Sequence, residues 1–285
     1  MKKIYIVTES GCDLLAADRE KYGIETVPMH IQINGDSRDD GSFPAEEIFS
    51  YYESTKTLPK TSAANPRAWR RVFDRITAAD PHAHIIHMAY SAVTTASFHN
   101  AVIAGEDLHS ITHIDTKNVT GGRRAVILAT AQFIENHPTA TMEEIKEFAQ
   151  NTAEKCRFAF FPGDLEYLRA GGRVSNAAYL VATVLNLKPL IEINDGRLVA
   201  TRKYRGRSGK VYPRFLDEYL GRNPFEKDSF FMVYSRGLDE TVKKQLEKVA
   251  RSHGYKDFVW VPAGCVISTH AGPAAFGAGG ILVKE

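Results

Sequence analysis

Three short stretches of this chain put hydroxyls where an anion could be held. Pro59-Lys60-Thr61-Ser62-Ala63-Ala64-Asn65-Pro66 is a loop bounded by prolines, with Thr61 and Ser62 as adjacent hydroxyls. Tyr90-Ser91-Ala92-Val93-Thr94-Thr95-Ala96-Ser97 is a second hydroxyl-rich turn, and Asn118 to Arg124 reads as a third loop of this kind. Loops of this type, each at the end of a strand or the entry to a helix, could converge on one anion without placing a fixed positive charge there. The alternative is that the hydroxyls satisfy loop backbone, as such residues usually do. Phe160 to Ser175 offers a different device. Asp164 is placed to cap a short helix carrying Leu165 and Leu168, Gly171-Gly172 to end it, and Ser175 to open another. Arg173 in that corner would supply a planar cation beside exposed N–H groups, or would be a solvated arginine in an ordinary helix joint. His270 stands in Ser268-Thr269-His270-Ala271-Gly272-Pro273, between a short apolar strand and a Gly-Pro loop that allows close backbone approach. A satisfied structural histidine is the competing reading.

Other chemistries fit less well. His82 and His84 would share one face of a strand and His87 the other, so no metal site is expected from them. The P-loop and G-x-G-x-x-G patterns are absent, so no nucleotide cofactor is expected, and there is no G-x-S-x-G nucleophile elbow. A hydrolase dyad of Ser91 or Thr95 with His270 stays open, provided the fold brings them together. The 285 residues are 44% apolar and 25% charged, with a formal charge of +2, which excludes a strongly basic nucleic-acid surface. Arg202-Lys203-Tyr204-Arg205-Gly206-Arg207 is a solvated face or a docking surface for a partner carrying phosphates or acidic groups. Cys12, Cys156 and Cys265 are odd in number and far apart, as expected of reduced thiols. The apolar run Ile4 to Val7 is too short for a signal sequence, and no stretch is long enough for a membrane span, so a cytoplasmic protein is expected.

The elements that must position these residues alternate. Ile4 to Thr8 reads as a buried strand followed by the polar loop Glu9-Ser10-Gly11-Cys12-Asp13, and Glu25 to Ile33 as a second strand ending at Asn34-Gly35. Helices are expected over 44–53 and 68–76, the latter capped by Asn65 with Pro66 at its first position. Strands over 84–88 and 111–115 follow, then a helix through Phe133. The capping box Thr141-Met142-Glu143-Glu144 opens a helix to about Glu154, and 157–161 is a strand. Asp195-Gly196 marks a hairpin within Leu190 to Thr201, and 230–261 reads as a β-α-β unit. This is an α/β pattern, in which ligands bind beyond the carboxyl ends of the strands.

Taken together, the elbow, the hydroxyl loops and the histidine loop resemble the DegV family of bacterial fatty-acid-binding proteins over almost the whole chain. The resemblance is carried by Leu165-Glu166-Tyr167-Leu168 through Gly171-Gly172-Arg173-Val174-Ser175, Leu187-Lys188-Pro189-Leu190, Asp195-Gly196, Arg205-Gly206, Thr269-His270-Ala271-Gly272-Pro273 and Pro59-Lys60-Thr61-Ser62. It implies two α/β domains with a ligand between them: residues 1–160 carrying the head-group loops and 161–285 holding an acyl-chain tunnel. It also implies a carrier, without an ATP site or cofactor of its own, that presents the carboxylate of a long-chain fatty acid to a separate fatty acid kinase subunit for acyl phosphate formation. Carried over residue by residue, the carboxylate hydroxyls fall on Thr61 and Thr95, with Ser62, Ser91 and Thr94 beside them. Arg173, Thr269 and His270 match residues near the carboxylate or phosphate exit. The chain departs from the family's pattern at Ala63-Ala64-Asn65, Ala96 and Gly121-Gly122-Arg123-Arg124, and at Glu9, where aspartate is usual.

Overall fold

A computed structural model describes residues 3–172 and 187–283. Strands β1 (Ile4–Glu9), β2 (Glu25–Val27), β6 (His84–Ala89) and β7 (Ile111–Asp115) form a parallel sheet in the order β2-β1-β6-β7. Its strands are runs of apolar residues because both faces are covered. One face packs Val7 and Ile85 on Trp69 and Phe73 of α3 (Pro66–Ala79) and Ala101 of α4 (Ser97–Ala104). The other packs Ile6, Ile86 and Ile114 on Val126 and Ile127 of α5 (Thr120–Asn136) and Ile145 of α6 (Met142–Lys155).

A second, six-stranded sheet has the order β10-β9-β8-β13-β11-β12, with only β11 and β12 parallel. Its strands are β8 (Cys156–Phe161), β9 (Leu187–Asn194), β10 (Arg197–Arg205), β11 (Phe231–Tyr234), β12 (Val259–Pro262) and β13 (Phe276–Ile281). Side chains alternate in β8 and β11: Ala159, Phe161 and Met232 join one core, Phe158, Phe231 and Val233 another. Helices α8 (Ser208–Arg222) and α9 (Glu240–Ser252) cover the first face. The second face meets α5, which is therefore buried between the two sheets, from Thr120 to Ile127 without a break. Gly121 permits that approach, since a Cβ there would stand 2.4 Å from Phe231 and 2.6 Å from Val233. Because β8 lies inside the six-stranded sheet, the expected break after residue 160 falls within a strand.

Three expectations are corrected. The strand expected over 25–33 is two strands in different sheets: β2 pairs with β1, whereas β3 (His30–Ile33) pairs with β4 (Asp36–Asp39) and β5 (Lys60–Ser62) in a small antiparallel sheet. Pro28 lies between β2 and β3, where it costs no ladder bond. Residues 120–124 are the first turns of α5, not a loop, because Arg123 and Arg124 find partner carboxylates: Arg123 meets the buried Glu9 at 3.1 Å, and Arg124 grips the half-buried Asp18 bidentately at 2.7 and 2.9 Å. The apolar residues before His270 form a helix, α10 (Cys265–Ala271), rather than a strand. Its N-terminus is fixed by two distant carboxylates, Asp13 accepting from Gly264 N at 2.9 Å and Asp40 from Val266 N at 3.1 Å. All three cysteines are free and buried, and burial pushes the Cys12 thiol up to about 11 and that of Cys156 up to about 12. No helix among the described residues is long and apolar enough to cross a membrane.

Candidate functional site

A cavity with about 790 Å³ of empty space, counting the part open to solvent, lies where the loops after β6 and β7 meet the six-stranded sheet and α10. Most of its wall is apolar: Phe158, Phe160, Val233 and Phe276 from one side, Met29, Val119 and Tyr90 from the other. The polar side chains on it are few, as in small-molecule sites generally. Two of them serve the framework. Thr120 donates to Asp13, and Ser235 donates to Gly272 O at 2.6 Å while accepting from Ala275 N at 2.7 Å.

The sequence-derived hydroxyls and histidine converge in part. Thr61, Thr94, Thr95 and His270 all line the cavity. Thr61 comes from β5, the edge of the small sheet, and His270 from α10, yet Thr61 Oγ1 and His270 Nε2 share a hydrogen bond of 2.8 Å. With the proton on Nε2 the ring donates to the threonine, whose own proton can then be given to a carboxylate. Thr95 Oγ1 accepts from Ser97 N at 3.3 Å, which also leaves its proton to donate. Thr94 Oγ1 donates to Ser91 O at 2.8 Å.

Ser62, Ser91 and Thr269 are not part of the wall. Ser91 is buried and donates to Gly196 O at 2.8 Å, tying the Tyr90 loop to the β9–β10 hairpin. Thr269 donates back to Cys265 O within α10 at 2.8 Å, and Ser62 is paired opposite His30 in the small sheet. Arg173 and the Ser175 cap lie outside the described residues. The histidines first weighed as a metal trio have other partners: His84 meets Thr112 at 3.0 Å, His87 meets His113 at 3.0 Å, and His82 is exposed. His270, weighed as a partner of Ser91 or Thr95, hydrogen-bonds Thr61, as α10 faces β5.

The elbow contributes through its first glycine. Asp164 does cap α7 (Leu165–Ala170), accepting from Glu166 N at 2.8 Å. Gly171 follows with φ −75°, and a Cβ there would stand 2.2 Å from His270 Nδ1. Any larger residue there would have to displace the ring. The sequence reading also missed Tyr90 as a wall residue and Leu198 of β10, whose only signals were an aromatic at a strand end and an apolar residue after a hairpin turn.

Electrostatics around the cavity come from buried groups behind it. Burial pushes the Asp13 carboxyl up to about 6, against the hydrogen bonds from Thr120 and Gly264. Burial also acts to raise Glu9, but Arg123 at 3.1 Å and then His87 outweigh it and hold the carboxyl at about 2.

Comparison with known proteins agrees with this architecture. A family model described as "Uncharacterised protein, DegV family" matches residues 3–282. A DegV domain-containing protein of Caldanaerobacter subterraneus is 30% identical, over 97% of this chain and 98% of its own. A solved Thermus thermophilus structure, described as fatty acid binding of a DegV family protein, superposes with a TM-score of 0.85 at 22% identity, covering 99% of this chain and 100% of its own. The fatty acid kinase (Fak) B3 protein of Streptococcus pneumoniae, loaded with linoleic acid, superposes with a TM-score of 0.84 at 20% identity over 99% and 100%. The family match runs through both sheets and every loop of the cavity, and this chain belongs to the DegV family.

Proposed function

We propose that this protein binds a long-chain fatty acid in the cavity, carboxylate against Thr61 and Thr95 and acyl chain among Phe158, Phe160, Val233 and Phe276. The observation that carries this reading is a mostly apolar wall with a hydroxyl–imidazole pair, Thr61 and His270, at one place on it. Proteins of the same fold described as fatty acid binding support it. Burial of an acyl chain contributes about 0.8 kcal/mol per methylene, so a long chain supplies roughly 10 kcal/mol before the several kcal/mol cost of association. Neutral hydrogen bonds to the head group add about 0.5–1.5 kcal/mol each, so the wall sets affinity and the hydroxyls orientation.

In this proposal the protein is a cytoplasmic carrier of two halves, and it offers the carboxylate to a separate ATP-dependent kinase. The likeness to the fatty acid kinase (Fak) B3 protein supports that part. Thr94 stands as the second candidate beside Thr95, Arg173 and His270 as groups near the exit, and Ser62, Ser91 and Thr269 as support. Native mass spectrometry of the purified protein should find a co-purified long-chain acid, and calorimetry should record its rebinding after delipidation. Repeated recovery of empty protein that takes up no fatty acid would refute the reading. Turnover of a chromogenic ester panel that disappears in His270→Ala would replace the carrier with a hydrolase.

A further inference from the structure

We propose that Glu9 and Arg123 are positioning residues for the head group: a buried ion pair that fixes the Tyr90–Thr95 wall from behind. The inference rests on the fatty-acid reading of the cavity. Neither residue lines the cavity, and both are fully buried. Arg123 Nη2 donates to Glu9 Oε2 at 3.1 Å, to Glu9 O at 2.6 Å and to Thr8 Oγ1. The other carboxylate oxygen, Oε1, accepts from Tyr90 N at 3.0 Å. The guanidinium carbon lies 5.3 Å from the centre of the Tyr90 ring, within the range of a cation–π contact. Tyr90 is on the cavity wall, and Thr94 and Thr95 follow it in the same loop.

The pair therefore joins the end of β1 to two pieces of chain that reach the cavity: the Tyr90 loop, and α5, which opens at the wall residue Thr120. Ser91 N donates to Asn118 O at 3.1 Å and Ala92 N to Asp115 Oδ1 at 3.3 Å, so three successive N–H groups of the loop are fixed, Tyr90 by Glu9. Stability alone is a weak reason for such a pair, since well-packed apolar residues usually replace a buried ion pair at no loss. Fixing a loop whose hydroxyls must meet a carboxylate is a reason apolar residues cannot supply, because they offer Tyr90 N no acceptor.

The test compares palmitate with hexadecanol, ligands of equal chain length with and without a carboxylate, by displacement of a fluorescent fatty acid from delipidated full-length protein. Thr61→Ala serves as a reference variant that lowers the acid-to-alcohol affinity ratio directly. Glu9→Asp keeps the charge facing Arg123 but withdraws the oxygen from Tyr90 N. It is expected to weaken palmitate about tenfold and hexadecanol about twofold or less, so the ratio falls. Arg123→Lys, which keeps the charge but loses the planar guanidinium that places Nη2 on Glu9 and faces the Tyr90 ring, is expected to move the ratio the same way, and Glu9→Asp decides the matter if that variant does not fold. A purely structural role predicts equal losses for both ligands. An unchanged ratio in folded Glu9→Asp, with palmitate still preferred by the wild type, overturns the positioning role alone. A wild type that binds neither ligand overturns the fatty-acid reading and this inference with it.

Discussion

Replacing Gly171 by alanine tests the site through its tightest contact. The Gly171 backbone, at φ −75° and ψ −2°, is open to any residue, so alanine introduces no backbone strain. Its Cβ would stand 2.2 Å from His270 Nδ1 and 2.7 Å from Cε1. Restoring ordinary contact requires the ring to retreat by about 1 Å. Thr61 meets the ring at Nε2, on the side away from Nδ1, so a shift of that size driven from Gly171 crowds the 2.8 Å hydrogen bond or swings Nε2 off its line, and the bond loses its geometry. A neutral bond has a net worth of about 0.5–1.5 kcal/mol, so palmitate affinity should fall roughly 2- to 12-fold. Crowding adds about 1–3 kcal/mol of destabilisation, read separately as a lower urea midpoint. The decisive assay measures palmitate binding in Gly171→Ala, His270→Ala and the double variant. If Gly171 acts through His270, adding the alanine to the His270→Ala background changes affinity little. An equal loss in both backgrounds would refute the reasoning.

Gly121→Ala should cost stability and not affinity first: its Cβ meets Phe231 and Val233 at 2.4 and 2.6 Å, and overpacking of this kind costs about 1–3 kcal/mol by urea titration. Asp13 has a folded-state pKa raised to about 6 from 3.8, so the folded state holds the proton more tightly and stability is lost as pH rises from about 4 to 6. Asp13→Asn should remove that slope and recover about 2–3 kcal/mol at pH 7 if its amide serves Gly264 N and Thr120; a variant curve parallel to the wild type would exclude this. Glu9 has the opposite sign, held at about 2 against 4.5, so its contribution is present above pH 4.5 and lost as pH falls towards 2. Glu9→Gln should be less stable near neutrality and lose less on acidification, as unfolding titrations from pH 3 to 8 would record.

What could be read in the sequence was local. The capping box at Thr141, the Asn65-Pro66 helix start, the Asp164 cap and the Asp195-Gly196 turn each state their structure within four residues, and all are found. What misled was distant partner choice. The run 25–33 is strand-like on both sides of Pro28, and the pairing of β2 with β1 and of β3 with β5 divides it between sheets. Gly-Gly-Arg-Arg has poor helix propensity and reads as a loop, until Glu9, Asp18 and Phe231 supply reasons for a buried helix. The start of α10 is set by Asp13 and Asp40, more than two hundred residues upstream. The same limit applies at the site. Hydroxyl-bearing loops were visible, but whether a hydroxyl faces a cavity or a backbone carbonyl, as Thr95 and Ser91 respectively do, depends on which carbonyl folds against it.

The contact between the β9–β10 hairpin and the Tyr90 loop bears on how fast a ligand is exchanged. The tip is attached by the Ser91 bond to Gly196 O and by Lys117 paired with Asp195 at 2.7 Å, an ion pair open to solvent on both sides. A solvated pair of this kind contributes little, and the hydroxyl bond contributes about 0.5–1.5 kcal/mol. Lifting the tip, with Leu198 on the cavity wall two residues beyond Gly196, breaks both of these bonds. If the cavity holds a fatty acid as proposed, lifting the tip speeds entry and exit alike, so the hairpin sets the rate of exchange while the apolar wall sets the affinity.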